Sequence, residues 1–266
     1  IMSLSISQDT SIIASAGITG KGIVFMKNPE INQMNQLEGP VNVVKDIRFS
    51  VDRSWILVST SIKTQLYGLQ FGKEKNISQI INQSVCFVDF LDENRILLVG
   101  FSDLKIISQI DGHVIKQSGR ISLYNSSINC SISPDRKWLA VGGSEPVKIF
   151  STSTLDLVLT LDCTCSNGVT NKAHLSSEYI AVWDSTNRIQ LFSYDGVKAS
   201  EISVQQNHQE LALSVSPDSS SVAHNLAGLS VVGLQTRELA SFGAICVTAV
   251  GYCTQSLVVT GIRWAL

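Results

Sequence analysis

At 266 residues, with 44% hydrophobic and 16% charged residues, the chain can bury a substantial core, which excludes wholesale disorder. Twenty Lys plus Arg against 22 Asp plus Glu give a formal charge of -2, so no net field draws it to nucleic acid or an anionic membrane. Polar residues interrupt every apolar run well short of the ~18 residues of a spanning helix. A soluble intracellular chain, cytoplasmic or nuclear, is therefore expected, and no signal-peptide pattern is read in its first residues.

One plan recurs along the chain: an alternating strand, a polar turn, then an apolar strand. The first unit, 1–43, enters a strand at Met2 and carries SISQDTSIIASAG at 5–17 and a third strand, GIVFM, at 22–26. The second, 44–83, carries RFSVDRSWILVST at 48–60, QLYGLQF at 65–71 and a fourth strand, ISQII, at 77–81. In the third, 84–126, DFLDENRILLVG at 89–100 precedes LKIIS at 104–108, and RISLY at 120–124 is read as the fourth strand. The fourth, 127–166, has SISPDRKWLAVGG at 131–143, VKIFS at 147–151 and LVLTL at 157–161.

The fifth unit, 167–208, has AHLSSEYIAVWD at 173–184 and RIQLFS at 188–193, and the sixth, 209–245, has SVSPDSSSVAHNL at 214–226, LSVVGL at 229–234 and ELASF at 238–242. The seventh, 246–266, holds VGYCTQSLVVTG at 250–261 and only the start of a third strand. The turn residues Asp9, Asp52, Asp92, Asp135, Glu178 and Asp218 are 43, 40, 43, 43 and 40 residues apart, and Thr254 follows 36 later. Alternation, β-branched residues and turn punctuation favour strand throughout, and four antiparallel strands per ~40–45 residues is the blade of a β-propeller.

These residues carry a family resemblance. The alternating strand, Ser-Pro-Asp turn and LAVGG-like strand, repeated almost throughout, resemble WD40 repeats in degenerate form. The resemblance implies an all-β, seven-bladed propeller forming a single domain over 1–266, its seventh blade incomplete. The Trp-Asp expected at the end of each third strand is replaced by Phe150-Ser151 and Phe192-Ser193, and Trp183-Asp184 ends a second strand instead. The family's polar network is thus not carried over to any blade, and apolar packing must hold the sheets together.

Candidate chemistry is sparse. AGITGKG at 16–22 lacks the first Gly and the hydroxyl residue of a phosphate loop, and no helix follows it. His113, His174, His208 and His224 lie at no metal-ligand spacing, and the latter strand pair, His174 and His224, reads as structural. Cys163 and Cys165 form C-x-C rather than C-x-x-C, so reduced, mostly buried thiols are expected and no metal. The recurrent acids read as turn residues accepting backbone amides. Glycosylation acceptor matches such as Asn76-Ile77-Ser78 are those a Ser- and Asn-rich chain produces by chance.

By analogy with the family, turns joining second and third strands share one face. Lys21, Lys63, Arg188 and Arg263 lie in or beside them, with Asp103, Glu145 and Asp184 and the apolar Phe101. Mixed signs favour a protein partner over nucleic acid. The expectation is a non-catalytic protein–protein interaction scaffold within a larger complex, with no cofactor, docking through loop faces or an open blade edge. The alternative is a propeller enzyme or small-ligand binder at the central channel; the third reading is nucleic-acid or phosphoinositide binding.

Overall fold

The computed structural model describes residues 3–6, 12–16, 23–27, 34–37, 44–60, 62–68, 77–81, 85–119, 121, 128–163, 171–184, 186, 188–203, 213–216, 218–225, 229–233, 239–242, 249–253 and 256–260. Within them the fold is all-β, without helix, and each sheet is an antiparallel meander with its strands in chain order. The chain divides into two compact units, Ile1–Ser122 and Leu123–Leu266.

The first unit holds three four-stranded sheets. Sheet 1 comprises β1 (Ser3–Ile6), β2 (Ile12–Ala16), β3 (Ile23–Lys27) and β4 (Met34–Leu37). Sheet 2 comprises β5 (Val44–Phe49), β6 (Trp55–Thr60), β7 (Thr64–Gly68) and β8 (Ile77–Ile81). Sheet 3 comprises β9 (Phe87–Phe90), β10 (Arg95–Val99), β11 (Leu104–Ser108) and β12 (Val114–Gln117). β5 packs against β1 and β2, and β9 against β5 and β6, so the sheets follow one another face to face.

The second unit repeats the pattern. Sheet 4 comprises β13 (Asn129–Ile132), β14 (Trp138–Gly142), β15 (Lys148–Ser151) and β16 (Leu157–Thr160). Sheet 5 comprises β17 (Lys172–Leu175), β18 (Ile180–Trp183), β19 (Arg188–Phe192) and β20 (Lys198–Ser203). Sheet 6 comprises β21 (Leu213–Val215), β22 (Ser221–Asn225), β23 (Leu229–Gly233) and β24 (Leu239–Phe242). Among the described residues sheet 7 is a pair, β25 (Ala249–Cys253) and β26 (Ser256–Thr260). β17 packs on β13 and β14, β21 on β17, and β25 on β21 and β22.

The apolar runs of the second strands follow from this stacking. Side chains alternate between the two faces of a strand, and an inner sheet has a neighbour on each. Ile56 and Val58 of β6 join a cluster with Ile12 and Ala14 of sheet 1, whereas Leu57 between them joins Val88, Phe90 and Ile96 of sheet 3. In β18, Ile180 and Val182 pack with Ala140 and Ile149 of sheet 4, while Ala181 and Trp183 pack with Val215 and Val222 of sheet 6. Trp183, 3% exposed, is therefore core between sheets rather than surface.

First strands are polar at alternate positions for a different reason: each is an edge strand, and its amides need acceptors. Asn129 Oδ1 accepts from Ala173 N at 3.1 Å and Ser131 Oγ from Leu175 N at 3.1 Å, tying β13 to β17. His174 Nδ1 accepts from Val215 N at 3.3 Å, tying β17 to β21, which is the structural role expected of it.

One strand differs from the sequence expectation. Among the described residues the fourth strand of sheet 3 is Val114–Gln117, and of the expected 120–124 all but Ile121 lie outside the described residues. Gly112, at φ 71, donates its N–H to Ser108 O at 2.9 Å, and Ser108 N donates to His113 O at 2.9 Å, so the reversal is complete by His113. Four of the six described fourth strands share a further device that no local pattern announces. Each of β8, β12, β16 and β20 meets its third strand with one extra residue, between Leu66/Tyr67, Ile106/Ile107, Ile149/Phe150 and Leu191/Phe192. Such bulges twist an outer edge away from regular pairing.

Candidate functional site

In a meander the turns after first and third strands lie at one end of each sheet, and the turns between second and third strands at the other. The recurrent acids belong to the first end. Ser133 Oγ donates to Asp135 Oδ1 at 2.7 Å while accepting from Trp138 N at 3.0 Å, and Asp135 Oδ1 also accepts from Lys137 N at 3.1 Å. Ser50 and Asp52 repeat this: Ser50 Oγ donates to Asp52 Oδ1 at 2.5 Å, and Ser54 N donates to the same oxygen at 3.1 Å. Arg53, Arg136 and Ser219, each following the acid, adopt φ 61, 61 and 59. Partial burial pushes the Asp135 carboxyl up, but bonds from Ser133 and Lys137 outweigh it and leave it below the ordinary carboxylate value. These carboxylates are turn acceptors.

The other end carries the sequence-derived candidates. In sheet 2, Thr60 N and Oγ1 both donate to Lys63 O, at 2.8 and 3.0 Å, which pins a tight turn with Ile62 59% exposed at its tip. Lys63 is half-buried and makes no ion pair among the described residues. In sheet 3, Gly100 N donates to Asp103 O at 2.8 Å and lifts Phe101 to 46% exposure. Lys45 of β5 reaches across, its Nζ 5.8 Å from the Phe101 ring centroid, a cation–π contact between sheets 2 and 3.

The acids of this end are occupied by their own sheets. Asp103 Oδ2 accepts from Lys105 Nζ at 3.2 Å and Gln117 Nε2 at 2.8 Å. Glu145 Oε2 meets Lys148 Nζ at 2.5 Å. Asp184 is fully buried: its carboxylate accepts from Thr186 N at 2.8 Å, Gln190 Nε2 at 2.8 Å and Arg188 Nη2 at 3.1 Å. Arg188 in turn donates from Nη1 to Glu201 Oε1 at 3.0 Å. The Asp184 carboxylate therefore builds its turn and offers nothing to a partner. Lys21 and Arg263 lie outside the described residues.

The structure thus places Lys63, Phe101, Asp103, Glu145, Asp184 and Arg188 at the second-to-third-strand end of their own sheets and brings Asp184 and Arg188 into contact. Sequence reasoning missed Lys45 and Ile62. Lys45 gives no local signal, because only the packing of β5 on β9 carries it to Phe101. It also missed Arg48, whose guanidinium lies 5.1 Å from the Phe87 ring centroid, with Asp46 at 3.3 Å and the buried Asp89 at 3.9 Å. An alternating Asp46-Ile47-Arg48 on one first strand and Asp89 at the matching place on the next is the signal that could have found this pair.

Cys86, Cys130 and Cys163 are free thiols. Burial pushes Cys86 up to about 11, Lys45 pulling weakly the other way. Among the described residues no group of three or more His, Cys, Asp or Glu could hold a metal ion, and no helix is long and apolar enough to cross a membrane. No protein-family model matches the chain, and no curated protein matches it either.

Proposed function

We propose that the chain is a WD40-like β-propeller serving as a non-catalytic interaction scaffold, which docks a protein partner within a larger assembly through its turns between second and third strands. The blade reading is supported by consecutive four-stranded meanders whose first strands pack on one another in order within each unit. The observation that carries the docking reading is Phe101, 46% exposed beneath the Lys45 ammonium, on an end of sheet 3 whose carboxylate Asp103 is already paired with Lys105. An exposed aromatic beside a cation is the composition of an interface anchor. With Ile62 exposed on the corresponding turn of sheet 2 and Lys63 next to it in sequence, the partner that fits is an acidic segment with an apolar anchor.

The test places a photo-crosslinking amino acid at Ile62 and irradiates the chain in native lysate. A discrete adduct is expected, and it should vanish in the Phe101→Ala, Lys45→Glu double variant while the thermal midpoint holds. Recovery of the chain alone, repeated at low salt, would count against the scaffold.

A further inference from the structure

The outer edges of the sheets are not equally protected. β12 carries Lys116, and β20 carries Lys198 and Glu201, paired at 2.9 Å. Of the three fourth strands with described side chains, β16 alone has no charge: residues 157–161 read LVLTL, with Leu157 and Val158 each 52% exposed. Uncharged, β-branched edge strands are the ones that accept another strand.

The backbone of β16 is suited to this beyond its bulge. Leu161 N donates inward to Val147 O at 2.9 Å, and the register runs on regularly through Thr160 opposite Lys148 and Leu159 opposite Ile149. In an antiparallel ladder the residue between two inward-bonded ones points its N–H and C=O the other way, so Thr160 presents both to the outside. Two exposed carboxylates, Asp156 and Asp162, bracket the apolar stretch, and neither makes an ion pair among the described residues.

We propose that the β16 edge is a strand-addition site for an extended segment of another protein, apolar at its centre and carrying Lys or Arg at both ends. The charges choose the occupant. A second copy pairing antiparallel about Leu159 would set Asp156 opposite Asp162, and like charges directly opposite are destabilising. A basic-flanked strand turns the same two positions into cross-strand ion pairs, and main-chain bonds to Thr160 supply affinity as in β-augmentation generally. This deepens the scaffold reading and rests on it, at a strand edge rather than at a turn between second and third strands.

The experiment titrates the whole chain into a fluorescein-labelled synthetic heptapeptide of alternating valine and threonine with lysine at each end, read by anisotropy. Saturable binding is expected, with hydrogen-exchange protection appearing at the Thr160 amide. The Asp156→Lys, Asp162→Lys variant should bind at least tenfold more weakly, as should a peptide ending in glutamate. Val158→Lys, at an exposed position that leaves the core intact, should abolish binding. No binding at millimolar peptide, equal binding of both peptides, or unchanged binding by the Val158 variant overturns the proposal. Crosslinking at Ile62 that persists in that case keeps the scaffold and removes only this site.

Discussion

Replacing Gly142 with alanine is expected to force sheets 4 and 5 apart, whereas the same change at the adjacent Gly143 is expected to do almost nothing. A Cβ built on Gly142 would stand 2.4 Å from the Asn171 carbonyl oxygen, where ordinary contact begins at 3.4 Å. About 1 Å of movement is needed, and both sides are backbone, so no side-chain rotation can supply it. The same movement stretches the bond from Asn171 N to Gly143 O, now 2.7 Å, and that from Asn171 Nδ2 to Glu145 O, now 3.2 Å. Overpacking at about 1–3 kcal/mol and the two weakened hydrogen bonds at about 1 kcal/mol together give a loss of about 2–4 kcal/mol. For a chain of this size that lowers the thermal midpoint by about 5–15 °C. At Gly143 nothing lies within 4 Å of the added carbon. Differential scanning calorimetry of the two variants beside the parent chain decides the matter. Equal midpoints for Gly142→Ala and Gly143→Ala would refute the close approach of the two sheets.

Three further outcomes follow from the turns and the thiol. Asp135→Ala should cost about 1 kcal/mol at neutral pH. Because the folded carboxyl lies below its unfolded value, that contribution is complete above the unfolded value of about 3.9 and fades as pH falls through the folded one. Urea titrations at pH 7 and near pH 3 should show the difference between variant and parent closing, and a constant difference would contradict the assignment. Arg136→Gly relieves a left-handed backbone at φ 61 and should be neutral to stabilising by about 0.5 kcal/mol in the same assay, so a clear loss would speak against that conformation. Cys86, with its thiol pushed up to about 11, should alkylate roughly a hundredfold more slowly at pH 8 than an exposed cysteine, with a rate still rising beyond pH 10. Peptide mass spectrometry after timed alkylation measures this, and a plateau by pH 9 would contradict the burial.

Some of the molecule is readable from local pattern alone. The role of Asp135 is, because a serine two residues before the acid and an amide two residues after it lie within one turn. The third strand Leu104–Ser108 and the fourth strand Ile77–Ile81 are too, since alternation and flanking turn residues mark both. The fourth strand of sheet 3 is not. There, 120–124 matches the pattern as well as 114–117 does, and only the reversal around Gly112 separates them.

By itself, then, the sequence determined the all-β character, the recurrence at about 40 residues and the acidic turns, all of which rest on interactions between residues a few positions apart. The tertiary structure decided what depends on residues roughly 30 to 55 positions apart. It set Gly142 against Asn171, His174 under Val215, Lys45 over Phe101 and Trp183 between sheets 5 and 6. It also sorted the candidate acids: Asp184 is fully buried behind Arg188 and Gln190, whereas Asp162, which no motif singled out, stands exposed beside an unprotected edge. Charge and residue type are properties of the chain, but exposure belongs to the neighbour that the chain brings back one repeat later.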